Sequence, residues 1–250
     1  MIIFCWTYPR TRSTAFEKCM SQAVQTVHEP FSGSYYCTVN PSFATPESHP
    51  KRFENVIAKL KTLEQTHGTI FIKELAYCVV RQEQFLENID FFKSCEHMFL
   101  TRPPRETIPS LAHQMQKVYG NKCSYKQIED SIGIKDLANL YRTIEPQGYK
   151  HIHANDMLDK DIARNILEKI CKRYNLENSA VSMLQWDPGS LDDWKIWEID
   201  GWHDDAIKSD TFESVRKNYN VDENVQGMIS ENEVAYEKLV GTLDGKDNYR

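Results

Sequence analysis

The residues best suited to chemistry follow the first apolar run, in the segment Tyr8-Pro9-Arg10-Thr11-Arg12-Ser13-Thr14. The β-rich run Ile2–Tyr8 precedes the segment. Apolar residues spaced as on one helix face follow it, and Thr14 with Glu17 forms a capping-box pattern, so we predict a helix that begins near Thr14. A turn between a strand and a helix presents free backbone N–H groups and the positive end of the helix dipole. With two arginines and two hydroxyl side chains added, the segment predicts an anion-binding turn.

The same segment differs from the phosphate loop of common nucleotide hydrolases. It contains no glycine, and no lysine precedes its hydroxyl residues, so the pattern G-x-x-x-x-G-K-[ST] is absent. We therefore expect the turn to bind a phosphate-like group without ordinary ATP or GTP hydrolysis.

A second basic segment, Thr101–Ser110, follows the fourth apolar run and contains Arg102-Pro-Pro-Arg-Glu-Thr-Ile-Pro-Ser110. An arginine at the end of a parallel strand lies on the sheet edge where ligands of α/β proteins bind. Ser110 is expected about two turns into the next helix, so that an arginine fork and a hydroxyl could bind a second phosphate. Pro109 is expected to disturb that helix.

Alternating strand and helix patterns predict an α/β fold with a mostly parallel sheet of about five strands in one domain spanning 1–250. The predicted strands are Ile2–Tyr8, Gln25–His28, Thr69–Ile72, His97–Thr101 and Tyr149–His153. The predicted later helices are Phe53–Leu63, Arg81–Phe92, Leu111–Tyr119, Ile134–Ile144 and Ile162–Tyr174. Residues 31–50 are predicted to be an acceptor-side loop, 186–212 a cofactor-covering loop, and 244–250 a frayed tail.

The composition excludes several classes of function. The 250 residues carry 30 basic and 36 acidic side chains, a net charge of −6, so a protein that coats nucleic acid is disfavoured. The seven dispersed cysteines favour a reducing compartment. Met1 leads directly into a short apolar run without a charged region, so we expect a cytoplasmic protein with no signal peptide and no membrane segment.

Taken together, the two basic segments resemble the cofactor motifs of the sulfotransferases that use 3′-phosphoadenosine 5′-phosphosulfate (PAPS). Residues 8–14 are similar to the family pattern Y-P-[KR]-S-G-[ST]-T, and residues 102–110 to R-[DN]-P-[KR]-[DE]-x-x-x-S. Similarity extends to His28-Glu29-Pro30-Phe31, Phe71-Ile72-Lys73-Glu74 and the segment His153–Leu158, over about residues 1–175. Arg12 stands where many members have glycine.

The resemblance implies a P-loop NTPase-like three-layer sandwich, PAPS as the donor and adenosine 3′,5′-bisphosphate (PAP) as its product. It implies that the 5′-phosphosulfate is held by Arg10, Thr11, Arg12, Ser13 and Thr14, and the 3′-phosphate by Arg102 and Ser110. The tryptophan-rich segment 186–212 is predicted to cover the cofactor through Ser209, Thr211 and Phe212.

The chemistry of sulfuryl transfer suggests roles for three side chains. Its loose transition state places negative charge on the leaving phosphate oxygen, which Arg10 and Lys73 are expected to meet. Glu29 is the predicted base, with a pKa raised by apolar neighbours; the alternative is that Glu29 is an ion-pair partner of Arg10 or Arg12. A histidine that the family often has two residues after the lysine is Leu75 here.

The acceptor is predicted to be a small molecule with a hydroxyl or amine, and no metal is expected. The residues predicted to contact the acceptor are His28, Phe31, Tyr35, Tyr77 and His113. His203-Asp204-Asp205 and His151-x-His153 lack a further ligand at a recognisable spacing. Two alternatives are a metabolite or nucleotide kinase with a degenerate phosphate loop, and a non-catalytic module that binds 3′,5′-bisphosphates. The sequence predicts no oligomeric state.

Overall fold

The computed structural model describes residues 1–39, 53–177, 180–191, 194, 201–212, 219 and 221–246. Its centre is a five-stranded, all-parallel sheet with the strand order β2-β3-β1-β4-β5. The strands are β1 (Ile2–Thr7), β2 (Gln25–His28), β3 (Ile70–Leu75), β4 (Glu96–Thr101) and β5 (Tyr149–His153). The predicted α/β class is confirmed.

Helices connect the strands, as parallel pairing requires. They are α1 (Ser13–Ser21), α2 (Pro30–Val39), α3 (Phe53–His67), α4 (Ala76–Val80), α5 (Gln84–Glu87), α6 (Ile89–Lys93), α7 (Pro104–Tyr119), α8 (Tyr125–Asp130), α9 (Ile134–Ile144), α10 (Lys160–Tyr174), α11 (Ala180–Met183), α12 (Asp204–Lys208) and α13 (Glu223–Lys246). Single 3-10 turns lie at Gly120–Lys122 and Asp156–Leu158.

Side-chain alternation along the strands divides the core into two layers, one on each face of the sheet. On β1, Phe4 and Trp6 pack with residues of α3, α7, α9 and α13. Ile3 and Cys5 point to the other face and pack with residues of α1 and α10. Because both faces of each central strand are buried, the strands carry continuous apolar runs, and the molecule is a three-layer sandwich.

The strand order places the point where the chain reverses direction between β1 and β4. The connection after β1 leads toward β2 on one side of the sheet, and the connection after β4 leads toward β5 on the other. Diverging connections leave a crevice at the carboxyl ends of these two strands. The Tyr8 hydroxyl joins the two sides of the crevice, because it donates to the carbonyl of Arg102 at 2.5 Å and accepts from its N–H.

Several local predictions were wrong. Residues 31–39 form most of α2 instead of a loop, and 40–52 lie outside the described residues. Asp244–Lys246 end α13 instead of fraying, and residues 247–250 of the predicted tail lie outside the described residues. The described part of 186–212 includes the short helix α12. The capping box at Thr14 does not form: α1 begins after Arg12 without a side-chain cap.

Helix α7 also differs from expectation, because it continues through Pro109 to Tyr119. Pro104 occupies the first helical position, where the missing N–H costs no hydrogen bond and the fixed φ suits a helix. Pro109 lies only five residues later, and Ser110 after it is buried within a regular helix.

Among the described residues, no helix combines the length and the apolar character that crossing a bilayer requires. Six cysteines are free thiols: Cys5, Cys19, Cys78, Cys95, Cys123 and Cys171.

Candidate functional site

A cleft of about 1690 Å³ opens at the carboxyl edge of the sheet. The predicted site residues that line it are Arg10, Arg12, Ser13, Thr14, Glu29, Tyr35, Lys73, Tyr77, Arg102, Ser110, Ser209, Thr211 and Phe212. Of the described lining residues, seven are Lys or Arg and four are Asp or Glu. The cleft is therefore locally basic in a protein whose net charge is −6, which suits an anionic ligand.

The first segment predicted to bind an anion is a tight turn with two left-handed residues, Arg10 at φ 68° and Arg12 at φ 63°. Glycine adopts this conformation more easily, which explains the glycine common at the position of Arg12 in the family that the segment resembles. The Arg12 guanidinium donates to Asn155 Oδ1 at 2.5 Å. Burial and the nearby charge of Arg102 lower the pKa of Arg12 to about 10, so a bound anion would stabilise its charged form.

The two basic segments meet through direct hydrogen bonds. Arg102 donates through Nη1 to the backbone carbonyl of Arg10 at 2.9 Å. Arg10 donates through Nε to the Ser110 hydroxyl at 3.0 Å, and the Tyr219 hydroxyl donates to the same oxygen at 3.2 Å. The side chain of Arg10 thus lies with Ser110, at the second segment, although the sequence assigned it to the first.

An acidic residue that the sequence analysis did not select holds the basic groups in place. Glu106 accepts from Arg102 Nε at 3.0 Å and from Asn155 Nδ2 at 2.8 Å, and Asn155 in turn accepts from Arg12. This chain of contacts fixes both guanidinium groups on one wall of the cleft. The acidic position within the second motif was the one sequence feature that pointed to Glu106.

Glu29 and Lys73 form a buried ion pair at the floor of the cleft, with Lys73 Nζ donating to Glu29 Oε1. Burial alone would raise the pKa of Glu29, but the Lys73 charge, aided by His28 and His203, lowers it to about 2. The predicted raised pKa is therefore wrong, and the ion-pair partner is Lys73 instead of Arg10 or Arg12. The pair forms because β2 lies beside β3, with His28 opposite Lys73.

The neighbouring carboxyl, Glu74, accepts the backbone N–H groups of Phe31 and Leu75 at 2.7 and 2.8 Å. Burial and the negative charge of Glu29 raise its pKa to about 8. Glu74 therefore anchors the start of α2 to β3, which sequence patterning alone did not indicate.

Four predicted site residues do not line the cleft. Thr11 is buried and its hydroxyl donates to the Tyr8 carbonyl at 3.0 Å. Phe31 is part of the core, and His113 is exposed on α7 with its ring 5.2 Å from that of Tyr219. His28 is buried, with Nδ1 at 2.5 Å from Glu17 Oε2, behind the cleft-lining His203.

Aromatic residues form another wall of the cleft. The hydroxyls of Tyr36 and Tyr77 are 2.7 Å apart, and the ring of Tyr35 meets that of Tyr77 edge-on at 5.5 Å. Arg81 lies over Tyr77 and forms a two-pronged ion pair with Asp136 at 2.9 and 2.7 Å. This wall suits a ligand with an apolar or aromatic part.

The described part of the segment 186–212 forms a further wall of the cleft and is fixed to α1. Lys18 donates to the carbonyls of Gly189, Ala206 and Ser209 at 3.0, 3.1 and 3.3 Å. The carbonyl of Trp202 accepts from Arg10 Nη1 at 3.2 Å. The contacts place Ser209, Thr211 and Phe212 on the cleft wall, whereas Trp197 lies outside the described residues.

His203 also lines the cleft, although the sequence pointed to no catalytic role for it. Its ring lies 4.9 Å from that of His28 and 5.4 Å from that of Trp194. Burial, together with the charges of His28 and Lys73, lowers its pKa to about 2. His203 is therefore a neutral imidazole beside the Glu29–Lys73 pair at neutral pH.

Fold and site together define a three-layer α/β protein with a basic cleft where the connections after β1 and β4 diverge. A scan against protein-family models finds no match to this chain. A search of curated proteins finds no significant match either.

Proposed function

We propose that the protein is a sulfotransferase, which moves the sulfuryl group of PAPS to a hydroxyl or amine of a small molecule. The observation that carries the proposal is the direct contact between the two anion-binding segments. Arg102 donates a hydrogen bond to the backbone carbonyl of Arg10, and Arg10 donates one to the Ser110 hydroxyl. All three residues line the same cleft. One nucleotide can therefore reach both segments.

The two segments suit the two ends of the donor. The free N–H groups at the start of α1, with Ser13 and Thr14, suit the 5′-phosphosulfate. Arg102 and Ser110 suit the 3′-phosphate, the group that distinguishes PAPS from ATP. The absence of a lysine before Ser13 favours a sulfotransferase over a kinase. A P-loop kinase uses that lysine to contact the β- and γ-phosphates of its nucleotide.

In the proposed reaction, an acceptor oxygen or nitrogen attacks sulfur while the bond from sulfur to the bridging phosphate oxygen breaks. Negative charge develops on that leaving oxygen, and the ammonium of Lys73, which lines the cleft, would stabilise it. Through their ion pair, Glu29 orients Lys73 and keeps its ammonium charged. Lys73 donates to Glu29 Oε1 and the Ser32 hydroxyl donates to Glu29 Oε2, so both carboxylate oxygens are already engaged and we assign Glu29 a positioning role.

We assign to His203 the role of the base that takes the proton from the acceptor. His203 is neutral in the free cleft. Burial is the main cause of its low pKa, and the charges of His28, Lys73 and Arg10 lower the pKa further. A bound polyanionic donor would offset the charges of Lys73 and Arg10, so we expect donor binding to raise the pKa of His203 and make it a better base.

Calorimetry with three nucleotides tests the proposed donor. We expect PAP to bind at least about 10-fold more tightly than AMP or ATP, which is about 1.4 kcal/mol. The preference should vanish in Arg102→Ala because that variant lacks the guanidinium for the 3′-phosphate. Arg142→Ala, an exposed arginine outside the cleft, is the matched control and should behave as wild type.

Equal affinity of the wild type for PAP and AMP would remove the 3′-phosphate assignment and with it the sulfotransferase. Transfer itself is measured with labelled PAPS over a panel of phenols, alcohols and amines. ATP turnover without any dependence on PAPS would favour the kinase instead.

Replacing His203 by Gln is expected to slow transfer about 100-fold at neutral pH, since a positioned base contributes at least that much. The acidic limb of the pH–rate profile should disappear, while PAP affinity stays unchanged. His67→Gln, on an exposed histidine at the end of α3, is the control. If His203→Gln keeps the wild-type transfer rate and pH–rate profile while Glu29→Gln loses most of the transfer rate, Glu29 is the base instead of His203.

A further inference from the structure

Two histidines and an aspartate that are remote in sequence converge at the outer strand of the sheet. His151 and His153 alternate on β5 and therefore face the same side, toward the end of α13. Asp244 Oδ1 lies 2.8 Å from His151 Nδ1 and 3.3 Å from His153 Nε2. One donor atom from each residue lies within 4.8 Å of the others.

These distances are close enough for small side-chain movements to bring all three atoms to one metal ion. In a tetrahedral site with metal–ligand distances of about 2.0–2.1 Å, neighbouring ligand atoms are about 3.3 Å apart. Two imidazoles and one carboxylate are a donor set that suits divalent transition metals, zinc in particular.

The surroundings of the cluster provide the supporting contacts of a metal site. The second ring nitrogen of His151, Nε2, lies 2.9 Å from the Thr101 hydroxyl, which orients the ring and directs Nδ1 toward Asp244. The His151 side chain is 1% exposed, whereas those of His153 and Asp244 are 34% and 27% exposed. A buried ligand with two half-exposed ones leaves an entry path and room for a water ligand.

We propose that His151, His153 and Asp244 form a binding site for a divalent transition-metal ion, with zinc as the preferred ion. In the metal-free protein the same atoms are held by hydrogen bonds, which the ion replaces. The ion would fasten the end of α13 to β5, two residues before Asn155, whose side chain holds Arg12. The site is independent of the proposed transferase activity, because none of its three residues lines the cleft.

The test is zinc binding to the metal-stripped full chain, measured by competition with a chromophoric chelator. We expect 1:1 binding to the wild type, and a loss of affinity of more than about 100-fold in Asp244→Asn and His153→Gln, since removing a ligand should exceed the effect of removing a supporting contact. Bound cobalt(II) should show the intense visible bands of a tetrahedral site. His67→Gln is the control and should bind zinc as the wild type does.

A second measurement guards against misfolded variants. Zinc should raise the thermal unfolding midpoint of the wild type and of His67→Gln, because it binds only the folded state, but not that of folded Asp244→Asn. Equal zinc affinity in the wild type and both ligand variants would overturn the proposal. So would the absence of wild-type binding up to a zinc concentration on the order of 1 mM, or equally tight binding of Mg²⁺ through the same residues.

Discussion

Loss of the Lys73 ammonium is expected to slow sulfuryl transfer about 1000-fold, the upper end of the effect of a single group that stabilises developing charge. The change is best made as Lys73→Met in a Glu29→Gln background, so that no buried carboxylate is left unpaired. Glu29→Gln alone should cost about 10-fold or less, because its amide oxygen still accepts from Lys73 and the charge remains. Single-turnover rates with labelled PAPS separate the two variants.

PAP affinity should change little in the double variant if Lys73 acts on the transition state instead of the bound donor. Lys59→Met, on the exposed face of α3, is the control for removing a lysine and should leave the rate unchanged. Equal rates in the double variant and in Glu29→Gln would show that Lys73 does not meet the leaving oxygen.

Breaking the same ion pair from one side is expected to destabilise the fold by about 3–5 kcal/mol, because it leaves one buried charge without a partner. Glu29→Leu leaves Lys73 in this state, whereas Glu29→Leu/Lys73→Met replaces both charges by apolar groups and should recover most of the loss. The measurement is the free energy of unfolding from denaturant titrations of the wild type, both single variants and the double variant. Additive effects of Glu29→Leu and Lys73→Met would contradict a coupled pair.

The same pair predicts a pH dependence of stability. The pKa of Glu29 falls from 4.5 in the unfolded chain to about 2 in the fold, so its contribution is present above pH 4.5 and is lost as the pH falls toward 2. Between these values the wild type should lose stability more steeply than the double variant. Parallel curves would show that Glu29 has an ordinary pKa.

Much of the local structure could be predicted from residue patterns. The predicted bounds of β2, β5 and α9 match the structure, and in α9 the apolar residues repeat with a clear helix period. The positions of Arg10 and Arg102 at strand ends were likewise readable, since parallel strands end at a common edge. The helix at residues 31–39 could not be predicted. The small and polar residues of α2 follow no helix period, and its first turn is held by Glu74 of β3.

The sequence by itself predicted the strands, the strand-to-helix turn at residues 8–14 and the second basic segment, because these depend on neighbours within a few residues. Only the tertiary structure decided the partners of the charged groups: Lys73 for Glu29, Ser110 for Arg10, and Asp244 for two histidines more than 90 residues away. It also decided the protonation of Glu29 and His203. Partners and pKa values depend on burial and on contacts between distant segments, which spacing along the chain does not encode.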